Sequence, residues 1–213
     1  MTKKIITCIG DSYIDPILTL YEELDKNTSN YINEINSSYI VNGYSVSIVI
    51  LSVLMIDSIL NRIRYLKNDQ SKIKNLDFFK SEFNNKKLSE KLTEIYVLRD
   101  IIAHNHIFEI EYDYDQNHNF IIKNTSLLKT YGDKKYSDNI DKTHLCTKIL
   151  KLNINPIKID KSDVLKVFNV LKELFEFLEH KDIRYFPLSH WHFYYKNKWL
   201  NFYQIIDNIS GKP

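Results

Sequence analysis

Arg99, Asp100, His104 and His106 stand within one short stretch of the chain, with four residues between Arg99 and His104. A histidine titrates near neutral pH and can take or give a proton. An arginine keeps its charge and can hold the negative charge that builds on a phosphoryl oxygen. The residue types suit proton transfer beside a phosphate. They also have bland readings. Arg99 can lay its stem along apolar neighbours and pair with an acid such as Asp57. Asp100 can be an ordinary polar helix position, and His104 a helix-terminal cation beside free carbonyls. Geometry leaves the proton carrier open. At about 100° per residue, Arg99 and His104 lie roughly 140° apart on an ideal helix, whereas His106 falls within about 20° of Arg99. Either the helix end distorts, or a second chain completes the site, or His106 takes the place of His104.

Other groupings are weaker. Arg184 and His190 form a similar pair with five residues between them, but Pro187 among these breaks the helix that would present both. His104, His106, His144 and Cys146 could supply zinc ligands, yet their spacing matches no common zinc module. The aromatics Trp191, Phe193, Tyr194, Tyr195, Trp199, Phe202 and Tyr203, interleaved with Lys196 and Lys198, could stack single-stranded bases. At this density they more readily seal a tail onto a core.

The residues that could do chemistry need elements to hold them. Ile17, Leu20 and Leu24, and later Tyr31, Ile32 and Ile35, recur at helical spacing after Pro16. A second helix runs from about Tyr44 to Leu66, apolar around most of its circumference until Asp57. The polar stretch Lys67 to Lys87 has Leu76, Phe78, Phe79 and Phe83 as anchors. Ser89 opens a third helix, whose stripe of Leu92, Ile95 and Ile102 carries Arg99, with Leu98 beside it. From Ile107 the period changes to two: Phe108, Ile110, Tyr112 and Tyr114 alternate with Glu109, Glu111, Asp113 and Asp115. A turn at 115–119 and Phe120–Ile122 complete a hairpin, and Leu145 to Ile154 reads as a second extended piece. Asp160 or Ser162 caps a fourth helix with Val164, Leu165, Phe168, Leu171, Phe175 and Leu178 on its apolar face. The fold class expected is mainly α: an up-and-down bundle of about four to five helices, with a small β-hairpin insertion between the third and fourth core helices. A single domain is expected over 1–213, with its core at about 15–180, the insertion at about 107–156 and an aromatic extension at about 184–213.

Composition sets bounds on this reading. Of 213 residues, 44% are hydrophobic and 26% charged, which suits a folded chain. A net charge of +2 neither demands nor excludes nucleic acid, so any basic surface must come from clustering. Four glycines and four prolines disfavour a sandwich, a barrel or a phosphate loop. Two cysteines, Cys8 and Cys146, suit a reducing cytoplasm. The uncharged run Tyr39–Ile56 holds Asn42, Gly43 and three serines and flows into Asp57, Arg62 and Arg64, so a core helix is expected there and not a membrane span.

The stretch Arg99-Asp100-Ile101-Ile102-Ala103-His104 resembles the signature of the HEPN family, in which an Arg, commonly followed by a polar residue, is separated from a His by four to six residues. The likeness runs from about Tyr44 to Glu179. It takes in the apolar helix ending Met55-Ile-Asp-Ser-Ile-Leu-Asn-Arg62 and the capped helix from Asp160 to Glu179. The resemblance implies a metal-independent endoribonuclease that uses the RNA 2′-hydroxyl as nucleophile and leaves a 2′,3′-cyclic phosphate. It implies Arg99, His104 and Asp100 as catalytic residues, with His106 and Asp57 in support, no cofactor and no metal. A homodimer with a composite cleft is implied, in a toxin or anti-phage defence role, with RNA as substrate and an antitoxin or regulatory protein as partner. A cytoplasmic location away from membranes fits that role. The other expectation is a catalytically inactive HEPN-like module that binds RNA or a protein.

Overall fold

The structure, a computed structural model, describes residues 9–28, 38–104, 107–118, 120–129, 134–181 and 191–211. The chain is mostly helical, with small antiparallel hairpins. The expected helical bundle with β insertions is what forms.

Helix α1 (Ile14–Thr28) follows a short 3-10 turn at Asp11–Tyr13. Pro16 sits in its first turn, where a missing N–H costs little. Ile14, Ile17, Leu18, Tyr21 and Leu24 are buried at helical spacing, while Leu20 is half-buried. The helix starts before Pro16 rather than after it, and Tyr31, Ile32 and Ile35 lie outside the described residues. Helix α2 (Ser38–Leu66) is the central element and packs against α1 and three later helices. By length and composition Ile40–Leu66 could cross a membrane, yet half of its most apolar window is buried inside the protein. Ile48, Val53, Met55, Ile56 and Leu60 are fully enclosed. That explains an apolar surface on nearly every side of the helix.

The polar stretch after α2 contains a helix where the sequence shows only a few apolar anchors. In α3 (Asn75–Phe83), Leu76 and Phe79 are buried and Phe83 packs beside them at a spacing of three then four. Asn84 stops it in the left-handed conformation at φ 48°. Asn85 then caps α4 (Lys86–Ala103) by accepting from the Leu88 N–H. The third helix of the sequence reading therefore opens three residues before Ser89.

Strands β1 (Ile107–Tyr114) and β2 (Phe120–Lys129) pair antiparallel, with Tyr114 opposite Phe120 and Phe108 opposite Leu127. The second strand is longer than the sequence suggested. Helix α5 (Lys134–Asn139) follows, then the two-residue strands β3 (Ile140–Asp141) and β4 (Cys146–Thr147). The extended piece expected at Leu145–Ile154 reduces to β4, a turn and one bridge from Cys146 to Asn153. Buried Glu94 of α4 fixes that turn, accepting from the Ile149 and Leu150 N–H groups at 2.7 Å each.

Helix α6 (Lys161–His180) begins with a capping box. Asp160 accepts from the Ser162 and Asp163 amides, and Asp163 from the Asp160 amide. Its Val164, Val167, Phe168, Leu171, Phe175 and Leu178 face the core. The chain ends in hairpin β5 (His192–Tyr195) and β6 (Lys198–Asn201) followed by α7 (Phe202–Ile209). Alternation decides the fate of its aromatics. Phe193, Tyr195 and Phe202 join the main core, while Trp191, Tyr194 and Trp199 are exposed. The core thus extends past residue 180 into the aromatic segment.

Candidate active site

The end of α4 has three sides. Ile95, Leu98 and Ile102 pack into the main core. Val97 and Ile101 pack into a smaller cluster with Tyr136, Ile140 and Ile154. On the helical wheel these two sets leave an arc of about 140° between them, from Arg99 through Tyr96 and Asp100 to His104. That arc faces a cleft of about 780 Å³, closed on its other sides by Asp57 and Arg64 of α2, by Ile73 to Asp77 and Lys80, and by Lys135 of α5. The angle that separates Arg99 from His104 is the width of the cleft wall. Both side chains line it within one chain, Arg99 from inside the helix and His104 from its C-cap.

Asp57, on α2, is held to this wall. Its Oδ1 accepts the Tyr96 hydroxyl at 2.6 Å and the Asn75 side-chain amide at 3.0 Å. Burial, followed by the charge of Asp57, pushes the Tyr96 hydroxyl pKa well up, so Tyr96 is the donor in this pair. The Arg99 guanidinium lies over the Tyr96 ring, 5.5 Å from its centre, and the Lys135 ammonium lies 5.4 Å from the same centre. Asp100 bridges the two cations. Its Oδ1 is 2.7 Å from Arg99 Nε and its Oδ2 is 3.6 Å from Lys135 Nζ. The contact to Arg99 is an ion pair without hydrogen-bond geometry, and Arg99 Nε makes no hydrogen bond.

His104 is the C-cap of α4 and is exposed; its backbone N–H donates to the Asp100 carbonyl at 2.9 Å. Since α4 ends at Ala103, the wheel position computed for His106 has no helix beneath it, and His106 itself lies outside the described residues. The same holds for Arg184, Pro187 and His190. Arg64, on the cleft's rim, is bound up in structure. It contacts Asp69 at 2.7 Å, the Ile73 carbonyl at 2.8 Å and Asn75 at 3.2 Å, which straps the 68–75 segment to the end of α2.

Of the other groupings, His144 is exposed and paired with Asp141 at 2.8 Å, while Cys146 is buried. Among the described residues no three of His, Cys, Asp or Glu gather as a metal site. The apolar flank of Leu92, Ile95 and Leu98 is fully enclosed by the chain's own core, with Ile102 half-buried beside it. Any dimer must use another face.

Four of the five residues singled out from sequence meet in the cleft: Arg99, His104, Asp100 and Asp57. Tyr96, Asn75, Lys74, Lys80 and Lys135 were missed. Tyr96 was findable, being one turn before Arg99 on the same helix. Asn75 and Lys135 come from α3 and α5, and no local pattern announces them. With Arg64 set aside as the partner of Asp69, cations still outnumber carboxylates on the walls, Lys74, Lys80, Arg99 and Lys135 against Asp57, Asp77 and Asp100. The cleft therefore favours an anion. Compared with known proteins, the chain matches no family model, no curated protein and no solved structure.

Proposed function

We propose that this chain is a metal-independent endoribonuclease and that the cleft at the end of α4 is its active site. The observation that carries this reading is that Arg99 and His104 line one cationic cleft, although they come from different sides of a helix wheel. In the reaction His104 accepts the proton of the RNA 2′-hydroxyl as that oxygen bonds to phosphorus. The bond from phosphorus to the 5′ oxygen breaks, and that oxygen takes a proton from the histidine of a second copy facing the same substrate. The products are a 2′,3′-cyclic phosphate and a 5′-hydroxyl. Arg99 neutralises charge on the phosphoryl oxygens as they crowd. Asp100 orients Arg99, and Asp57, through Tyr96, fixes the ring on which Arg99 rests. A toxin or defence role in the cytoplasm, held in check by an antitoxin or regulatory protein, fits an enzyme of this chemistry.

A second reading has its own observation. Asp100 already neutralises part of the Arg99 charge, so the same cleft also suits an inactive module that binds RNA or a protein. Incubation of purified protein with total RNA in EDTA, beside the Arg99→Ala, His104→Ala double variant, separates the two. Cleavage by the wild type alone supports the enzyme; binding without cleavage supports the module.

A further inference from the structure

Lys135 belongs to no motif, yet the fold brings it to the lining of the cleft. It reaches the same ring and the same carboxylate as Arg99, from a different helix. Asp100 sits between the two cations with one oxygen toward each, much as a phosphate presents two non-bridging oxygens. Both cationic side chains keep about a third of their surface open, 31% for Arg99 and 30% for Lys135.

The cleft has little with which to stack a base. Two rings line it among the described residues: Tyr96, which is 5% exposed with both cations over it, and the exposed imidazole of His104, which the proposed reaction occupies with the proton of the 2′-hydroxyl. Base stacking needs an open ring face. The remaining walls are mostly lysine, aspartate and asparagine side chains, with Ile73 and Leu76.

Resting on the nuclease reading, we infer that Lys135 and Arg99 form a paired seat for a backbone phosphate of single-stranded RNA, and that the cleft holds its substrate by the backbone and not by base identity. Lys135 is a binding residue for the phosphate; Asp100 and Tyr96 position it.

The test uses full-length protein and fluorescein-labelled 2′-deoxy oligonucleotides, which lack the nucleophile and are not cut. Anisotropy titrations over a salt series give the slope of log K against log salt. A lost single-strand phosphate contact lowers that slope by about 0.7. Lys135→Gln should show this loss together with several-fold weaker binding at low salt. Lys135→Arg should keep the wild-type slope, as should Lys87→Gln, which removes an exposed lysine at the far end of α4, outside the cleft. Oligo-dT, oligo-dA and oligo-dC should bind within a few-fold of one another. A wild-type slope in Lys135→Gln overturns the seat, as does failure of the wild type to bind, or a strong preference for one base. A merely structural Lys135 would lower the melting temperature and leave the slope alone. Lys135-dependent binding without cleavage of RNA would sink the nuclease reading and leave the seat standing; cleavage with an unchanged Lys135→Gln slope would do the reverse.

Discussion

The Tyr96 hydroxyl on α4 donates to Asp57 Oδ1 on α2 at 2.6 Å, across 39 positions of sequence. The bond joins the two longest elements beside the cleft and sets the ring that carries Arg99. Tyr96→Phe keeps the ring and removes the donor, leaving Asp57 with Asn75. A hydrogen bond to a charged group is worth about 1.5–3 kcal/mol. Urea denaturation of Tyr96→Phe should show a loss in that range, with the helical circular dichroism spectrum retained. Unchanged stability would mean that the Tyr96–Asp57 bond does not hold the wall.

For catalysis, His104→Ala should slow RNA cleavage by about 10²–10⁴-fold, the usual share of a proton-transfer residue. Arg99→Ala should cost a comparable factor through lost charge stabilisation. Both side chains are at least partly exposed, so the variants should fold normally. Full activity in His104→Ala, with His106→Ala inactive, would transfer the proton role to His106.

The chemistry proposed draws on a histidine, an arginine and the substrate's own hydroxyl. Cleavage should survive EDTA and leave 2′,3′-cyclic phosphate ends, seen as 3′ ends that take a label only after acid opens the ring and a phosphatase removes the phosphate. Loss of activity on chelation, restored by zinc, would replace this mechanism with metal chemistry.

Two protons move in the reaction and each chain offers one motif histidine, which calls for two copies. Light scattering should report a dimer at micromolar concentration. A dimer with one His104→Ala chain lacks one of the two proton carriers, so excess His104→Ala protein should lower wild-type activity by forming inactive mixed dimers. A monomer with full activity would remove the second copy from the mechanism.

Acid stability depends on Asp25 at the end of α1. Hydrogen bonds from Lys161, first, and Lys196, second, hold its carboxyl below the usual value of 3.8. A lowered folded value means that the pairing stabilises the fold fully above the unfolded value and that this contribution is lost as pH falls below it. With 29% of the side chain exposed, the contribution is roughly 0.5–1 kcal/mol after screening. Asp25→Asn should therefore be less stable than wild type at pH 7, with the gap closing below about pH 4. A gap that stays constant down to pH 2 would show that the charge plays no part.

Much of the architecture was written in local pattern. The capped amphipathic helix from Lys161, the long apolar helix ending past Asp57 and the alternating strand from Ile107 each follow from period and capping, which are properties of neighbouring residues. Where long-range packing decided, the sequence was silent. Helix α3 was hidden because nine residues with three charges carry too weak a period, and only the cover of α2 and α4 makes its phenylalanines a face. The site divides along the same line. Arg99, Asp100 and His104 were legible as a motif because they share one helix. That an arc of about 140° could be a single wall was not, since the wheel gives angles but not which arcs neighbouring elements cover. Asp57, Asn75 and Lys135 reach that wall from three other segments. Their convergence belongs to the tertiary structure, which alone joins positions that the chain keeps tens of residues apart.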